Sequence, residues 1–553
     1  MFAATRIPNV LSRALLFVGL VWASSEPAAR VSAADSDAGA DRPHILFAFA
    51  DDWGCYAGVY AKIYPGGPSD AAKTPNFDRI ASNGLLFTRA FVSAPSCTPC
   101  RSALLSGNPF WRCGRASILQ GAVWDGSLPS YPLILEENGY RIGYMYKVWG
   151  PGTPSNAPYG APRTMFQLAG AKFNGFSQNA MRAEDRVAAK VALLDEVRKN
   201  LRSFYDADDD GRLDSDAPTC FWFGPTNVHR KWIAGSGKTL WGIDPETLRG
   251  KMPKFLPDTE IVRQDFADYL GEAAAFDAAL GVIDEELSRL GILEDTMLVV
   301  SGDHGMPGMS RGKCNLYDFG TQVPLAIRWP GGLRKPGRVV EDLVSLPSLA
   351  PTFLESAGVP VPPDMTATSL TDLIRAQRDP SIDRSAVFTG RERHVARARQ
   401  DGLPYPQRAI RTDDWLYILN FAPERSPMGD GPVRQASDDQ FPTPTLLTEN
   451  TFAAYGDYDA SPTKAEVVRV RNRMPLMFEF AFGHRPMAEL YDLQSDPDCL
   501  TNLAADPAFS ETRDGLDERL RNHLRATDDP RMSDNVPYES GFYTAIPQPK
   551  RRR

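Results

Sequence analysis

The chain has 553 residues, 42% of them hydrophobic and 24% charged, enough for two cores or for one large α/β domain with an appendage. A formal net charge of −8 argues against nucleic acid as a main partner and leaves room for a local cationic pocket that holds an anion. The seven cysteines, at positions 55, 97, 100, 113, 220, 314 and 499, have no zinc-ligand spacing, and free thiols and disulfides both remain open.

Arg6 and Arg13 precede an apolar run from Ala14 to Ala23, with small residues at 31–34 where a peptidase could cut. Residues 1–34 therefore read as a signal peptide of an exported protein, periplasmic or secreted, with a retained N-terminal anchor as the alternative. The run is short for a bilayer and no later stretch approaches its length, so no transmembrane anchor is expected. After a polar leader, His44 to Ala50 is almost wholly apolar, the pattern of a parallel strand covered on both faces. It ends in Asp51-Asp52. Strand carboxyl ends gather ligands in open α/β sheets, so this pair reads either as metal ligands or as helix caps.

Thr74-Pro75 caps and opens a helix that Gly84 closes, and Leu85 to Phe91 is the next strand. Next comes Cys97-Thr98-Pro99-Cys100-Arg101-Ser102-Ala103-Leu104-Leu105-Ser106-Gly107, a short helix with Pro99 in its first turn and Gly107 at its end. Cys97 at the positive helix end, with Arg101 one turn on, favours an anion and an ionised nucleophile; alone, the string reads as easily as a buried structural cysteine. The alternation continues with a helix at 133–138, a strand at 140–148 carrying Lys147, and an amphipathic helix at 183–204. Asp206 to Asp214 has the oxygen-ligand spacing of a calcium loop, with Ala217 where the bidentate glutamate belongs, and is read as a solvated acidic turn. The strand 219–224 runs into His229-Arg230, a long apolar stripe spans 258–290, and the strand 296–301 leads to Gly302-Asp303-His304-Gly305.

The stretch from Cys97 to Gly107 resembles the signature of the type I sulfatases, Cys-x-Pro-Ser-Arg with an Ala/Leu-rich turn and Gly, here with Cys100 in the serine position. In that family the cysteine is oxidised to formylglycine by a formylglycine-generating enzyme, and the hydrated aldehyde is the nucleophile. Asp51, Asp52, Asp303 and His304, with the modified Cys97, correspond to the family's divalent-metal site, usually calcium. Arg101, Lys147 and Lys313 match its basic residues, and His229 its catalytic histidine. Where the family reads Gly-Lys-x-His, this chain has Tyr146-Lys147-Val148-Trp149, so Trp149 replaces a sulfate-contacting histidine. Gly312-Lys313-Cys314-Asn315-Leu316-Tyr317, Gly150-Pro151, His229-Arg230 and Glu489-Leu490-Tyr491-Asp492-Leu493 are most similar to the heparan N-sulfatase branch, the sulfoglucosamine sulfohydrolases.

The resemblance implies an α/β fold: a large, mostly parallel central sheet flanked by helices in a catalytic domain at 42–405, and a smaller α+β domain at 406–553 with a short antiparallel sheet. It implies hydrolysis of sulfate ester or N-sulfate groups from a sulfated saccharide, with a phosphate or phosphonate ester hydrolase and a non-catalytic glycan-binding relative as alternatives. Trp149, Arg230, Arg391 and His394 are the substrate-binding candidates; the cluster Gly390 to His394 is assigned to the non-sulfated part of the substrate, with a solvated charged turn as the competing reading. Strands at 407–412 and 415–421, a loop-rich interval to about Arg473, a helix near 515–526 and a basic tail at 547–553 complete the chain.

Overall fold

The computed structural model describes residues 42–545 apart from 535 and 542, so the signal-peptide segment 1–34 and the basic tail lie outside the described residues. The central sheet has eight strands: β1 (His44–Ala50), β2 (Leu85–Phe91), β3 (Arg141–Tyr146), β4 (Thr219–Gly224), β5 (Thr296–Gly302), β6 (Gln322–Arg328), β7 (Arg338–Val340) and β8 (Val344–Ser345). Its order is β3-β4-β1-β5-β6-β2-β7, with β8 also on β2. β3, β4, β1 and β5 run parallel, while β6 is antiparallel to both β5 and β2. Strand reversal at β6 leaves β2 parallel to β5, so the chain leaves β2 for Cys97 on the same edge at which β1, β3, β4 and β5 end.

β1 shows why its run is apolar throughout. Leu46, Ala48 and Ala50 face one helical layer, and Ile45, Phe47 and Phe49 face the other. The first layer includes the helices Pro75–Ser82, Arg186–Tyr205 and Glu260–Arg289; the second includes Cys97–Ser106, Tyr131–Glu137 and Leu349–Ser356. A second sheet, β9 (Ala386–Arg391), β10 (Gln407–Thr412), β11 (Trp415–Asn420) and β12 (Ala488–Asp492), is antiparallel in the order β12-β11-β10-β9. Leu516, Leu520 and Leu524 of the helix Ser510–Ala526 pack on it at four-residue spacing.

Two local readings are corrected. Thr74 does not cap the helix it precedes: its hydroxyl accepts from the Gly58 amide at 2.8 Å and donates to Asp78 at 3.1 Å, tying an earlier loop to the helix instead. The interval after β11 also contains helices Pro444–Glu449, Pro462–Arg469 and Pro475–Phe482. Thr443 and Ser461 accept from backbone amides three residues on, the cap-then-proline signal of a helix start. All seven cysteines are free. Among the described residues, no helix is long and apolar enough to cross a membrane.

Candidate functional site

Four parallel strand ends deliver the central residues. Ala50 pairs with Gly302 and Tyr146 with Gly224, so the segments following β1, β5, β3 and β4 emerge side by side. They carry Asp51-Asp52, Asp303-His304, Lys147 and His229 respectively. Asp52 adopts φ 63°, a left-handed conformation uncommon for residues other than glycine, and its amide donates to Asp303 Oδ1 at 2.7 Å.

Arg101 is the hub of the cluster. It is fully buried, its Nη2 donates to Asp51 Oδ1 and its Nε to Asp303 Oδ2, each at 2.9 Å, and its Nη1 reaches the carbonyls of Lys147 and Val148 at 3.1 Å. Lys147 Nζ donates to both Asp51 oxygens at 2.7 and 2.9 Å, and Lys313 Nζ to both Asp52 oxygens at 3.1 and 3.2 Å. Burial alone would push Asp51 upward, yet Lys147 and Arg101 hold it well below the usual carboxylate range.

Cys97 opens the helix Cys97–Ser106, which Gly107 ends in the left-handed conformation. Its Sγ lies 3.4 Å from His304 Nε2 and 3.9 Å from Asp52 Oδ1. The expectation of an ionised thiol does not hold. Burial, reinforced by Asp51, pushes the thiol well above its ordinary value, and Lys147 and Lys313 offset this only in part. Position at a helix end is outweighed by desolvation among carboxylates.

Donor atoms of Asp52, Cys97 and His304 lie within 4.8 Å of one another, as do those of Asp51, Cys97 and Asp303, and those of Asp51, Asp52 and His229. Charge balance by itself does not require a metal, because Arg101, Lys147 and Lys313 face the three carboxylates. The convergence of oxygen donors on the Cys97 side chain is what fits a hard divalent cation. His229 stands at the opening: its side chain is 36% exposed, Nε2 is 3.7 Å from Asp52 Oδ2, and Nδ1 is 2.7 Å from the Arg230 carbonyl.

The residues assigned to the sugar fare differently. His394 is buried beside the nucleophile position, with Nδ1 2.7 Å from Ser96 Oγ; burial, aided by Lys313, pushes its pKa down to about 3. Trp149, Arg230 and Arg391 are committed elsewhere. Trp149 is only 2% exposed and donates its indole N–H to Ser102 Oγ at 2.8 Å, packing behind the helix rather than facing a ligand. Arg230 is held bidentately by Asp265 at 2.8 Å and lies over Trp232. Arg391 binds the Cys314 carbonyl and Asp457, inside the protein. These contacts hold the three side chains in place: Trp149 has spent its one donor, whereas Arg391 Nε has no partner among the described residues and half-buried Arg230 keeps N–H groups beyond its contacts with Asp265 and the Pro307 carbonyl.

Sequence reasoning missed Asp459, whose Oδ2 is 3.5 Å from Lys313 Nζ. Its signal was weak, because nothing in Asp457-Tyr458-Asp459 separates a site carboxylate from loop acidity.

The sulfatase family profile matches residues 43–359, and the profile described as N-sulphoglucosamine sulphohydrolase, C-terminal, matches 304–421. The chain belongs to the sulfatase family. This sulfatase is 28% identical over 523 residues to human (Homo sapiens) N-sulphoglucosamine sulphohydrolase, covering 88% of this chain and 91% of the relative. Its fold is similar to that of an enzyme solved in complex with its substrate D-glucosamine-2-N,6-O-disulfate, with TM-score 0.58, 16% identity, and 90% of this chain and 100% of the other covered. Agrobacterium radiobacter phosphonate monoester hydrolase is a further fold neighbour, with TM-score 0.55, 19% identity, and 88% and 96% covered. The family resemblance read from Cys97 to Gly107, the N-sulfatase-branch resemblance and the α/β fold class are all borne out. The sulfatase family generally uses a metal and formylglycine, and Asp51, Asp52, Asp303, His304 and Cys97 are placed where both would be needed.

Proposed function

We propose that this sulfatase is exported, periplasmic or secreted, and removes sulfate from a sulfated saccharide, with glucosamine N-sulfate as the favoured linkage and calcium as the bound ion. The observation that carries this reading is the meeting of Asp51, Asp52, Asp303, His304 and Cys97 with Arg101, Lys147 and Lys313 at one sheet edge. The preference for an N-sulfated glucosamine is supported by the human relative and by the match over residues 304–421.

A formylglycine at position 97, made by the generating enzyme, would supply a geminal-diol nucleophile, and a divalent ion held by Asp51, Asp52, Asp303 and His304 would polarise it. The chain's own groups do the rest. Lys147 and Lys313 neutralise the sulfate oxygens, and Arg101 fixes Asp51 and Asp303 in place so that the donors need not reorganise during reaction. His229, open to solvent and able to reach the site through Nε2, protonates the departing sugar atom.

The test has two arms: the mass of the peptide containing residue 97 from the native host, and turnover of glucosamine N-sulfate, O-sulfated saccharides, a phosphate ester and a phosphonate ester side by side. A formylglycine mass with sulfated substrates preferred supports the reading. An unmodified thiol with binding but no turnover would favour the glycan-binding relative, and faster phosphonate or phosphate hydrolysis would favour the alternative motivated by the phosphonate hydrolase neighbour.

A further inference from the structure

The segment 450–461 meets the site through Asp459, which pairs with Lys313, and is held from several sides. Lys464 Nζ donates to the carbonyls of Thr451, Tyr455 and Tyr458 at 3.3, 3.2 and 2.8 Å. Ser461 Oγ donates to the Gly308 carbonyl at 2.8 Å and accepts from the Lys464 amide at the same distance. Asp457 is saturated by Arg391, Arg399 and the Val395 amide.

Asp459 differs from its neighbours. Among the described residues neither of its oxygens receives a hydrogen bond; Oδ2 is buried, and its contact is the 3.5 Å ion pair with Lys313. The Lys313 ammonium donates to Asp52 and meets Asp459 Oδ2 at 3.5 Å as an ion pair without a hydrogen bond. The side chain keeps 18% exposure and lies one lysine away from the Asp52 cluster. Burial opposes the charge, yet Lys313, with His229, His394 and Arg230, holds this carboxyl well below the usual carboxylate range, so Asp459 is an anion whose oxygens are open to a hydrogen bond from a ligand. Because segment 450–461 is pinned, Asp459 is preorganised for such a ligand.

Resting on the saccharide reading above, we infer that Asp459 is a specificity-determining residue: its carboxylate accepts a hydrogen bond from a sugar hydroxyl or N–H next to the sulfated position, and its charge repels a second sulfate or carboxylate there. The favoured substrate is thus a saccharide that is uncharged around the scissile group.

The full-length purified enzyme, with Asp459→Asn and Asp459→Ser, is assayed on glucosamine N-sulfate and on its N,3- and N,6-disulfated forms. We expect wild type to prefer the monosulfated sugar over at least one disulfated form by roughly tenfold in kcat/KM, and both variants to narrow that gap by about fivefold through a lower KM for the disulfated sugar. A misfolded variant loses all substrates together and cannot produce this relative gain. The inference is overturned by an unchanged ratio in both variants, by losses of one common factor on all sugars, or by wild type preferring the disulfated forms. Wild type that cleaves an aryl sulfate but no sulfated sugar overturns the saccharide reading and the inference with it; variant ratios that stay fixed while wild type cleaves the sugars overturn the inference alone.

Discussion

At the residue scale, Asp51 is shared by two cations that do different things. Arg101 is wholly buried and also ties down Asp303 and two carbonyls, whereas Lys147 keeps 19% exposure and touches Asp51 through its ammonium. Replacing Lys147 by Ala therefore leaves Asp51 paired with Arg101. The expected outcome is a fall in kcat of about 10²–10³-fold with a melting temperature close to wild type, because a preorganised donor is lost without a buried charge being stranded. Steady-state kinetics and thermal unfolding check it; near-normal turnover would remove Lys147 from the sulfate site. The same scale explains what the linear motif could not say about Trp149. Its place in the string marks a site position, but Ser102 Oγ captures its indole N–H on the inner face of the helix.

At the element scale, the strand ends must lie close enough for their loops to share a site, and Gly224 makes this possible. A Cβ there would stand 1.9 Å from the Lys147 carbonyl oxygen, which also accepts from Arg101 and Trp222. Gly224→Ala is expected to destabilise by about 1–3 kcal/mol and to lower activity beyond that loss, since the clash moves the backbone that carries Lys147. Urea denaturation and activity measured under conditions where the variant is folded separate the two effects. Asp52, Tyr146, Arg311 and Cys314, all with positive φ, sit in or beside these same connections.

The helix Ser510–Ala526 supplies a pH-dependent element. His523 stacks on Phe388 with ring centroids 3.5 Å apart, and burial, aided by Arg519, lowers its pKa from 6.5 to about 4. The unfolded chain takes up this proton first. Stability contributed by the neutral imidazole is therefore complete above pH 6.5 and is lost as pH falls toward 4, by at most about 1.4 kcal/mol per pH unit. His523→Gln should flatten the fall in melting temperature between pH 7 and 5; an identical slope in the variant would remove His523 as its source.

At the scale of the whole molecule, the cluster joins segments from residue 51 to residue 313, and a bound divalent ion would link those that carry Asp51, Asp52, Cys97, Asp303 and His304. Exhaustive chelation is expected to abolish sulfatase activity and lower the melting temperature, with calcium restoring both, because a ligand that binds only the folded state stabilises it by mass action. Full activity after chelation would end the metal assignment.

The amino-acid order by itself determined the central strands, since the apolar runs at 44–50, 219–224 and 296–301 allow little else, and it determined the family through Cys97 to Gly107; the short strands at 338–340, 344–345 and 488–492 carried no such signal. It also placed acids and bases at strand ends, because those residues interrupt apolar runs. Only the tertiary structure decided which charged side chains remain available. Arg230 and Arg391 look like ligand residues along the chain, but Asp265 and Asp457, 35 and 66 positions away, pair with them. Asp459 looks like loop acidity, yet it stands against Lys313 without a hydrogen bond. A charge's partners are set by packing between distant segments, and no local pattern encodes that distance.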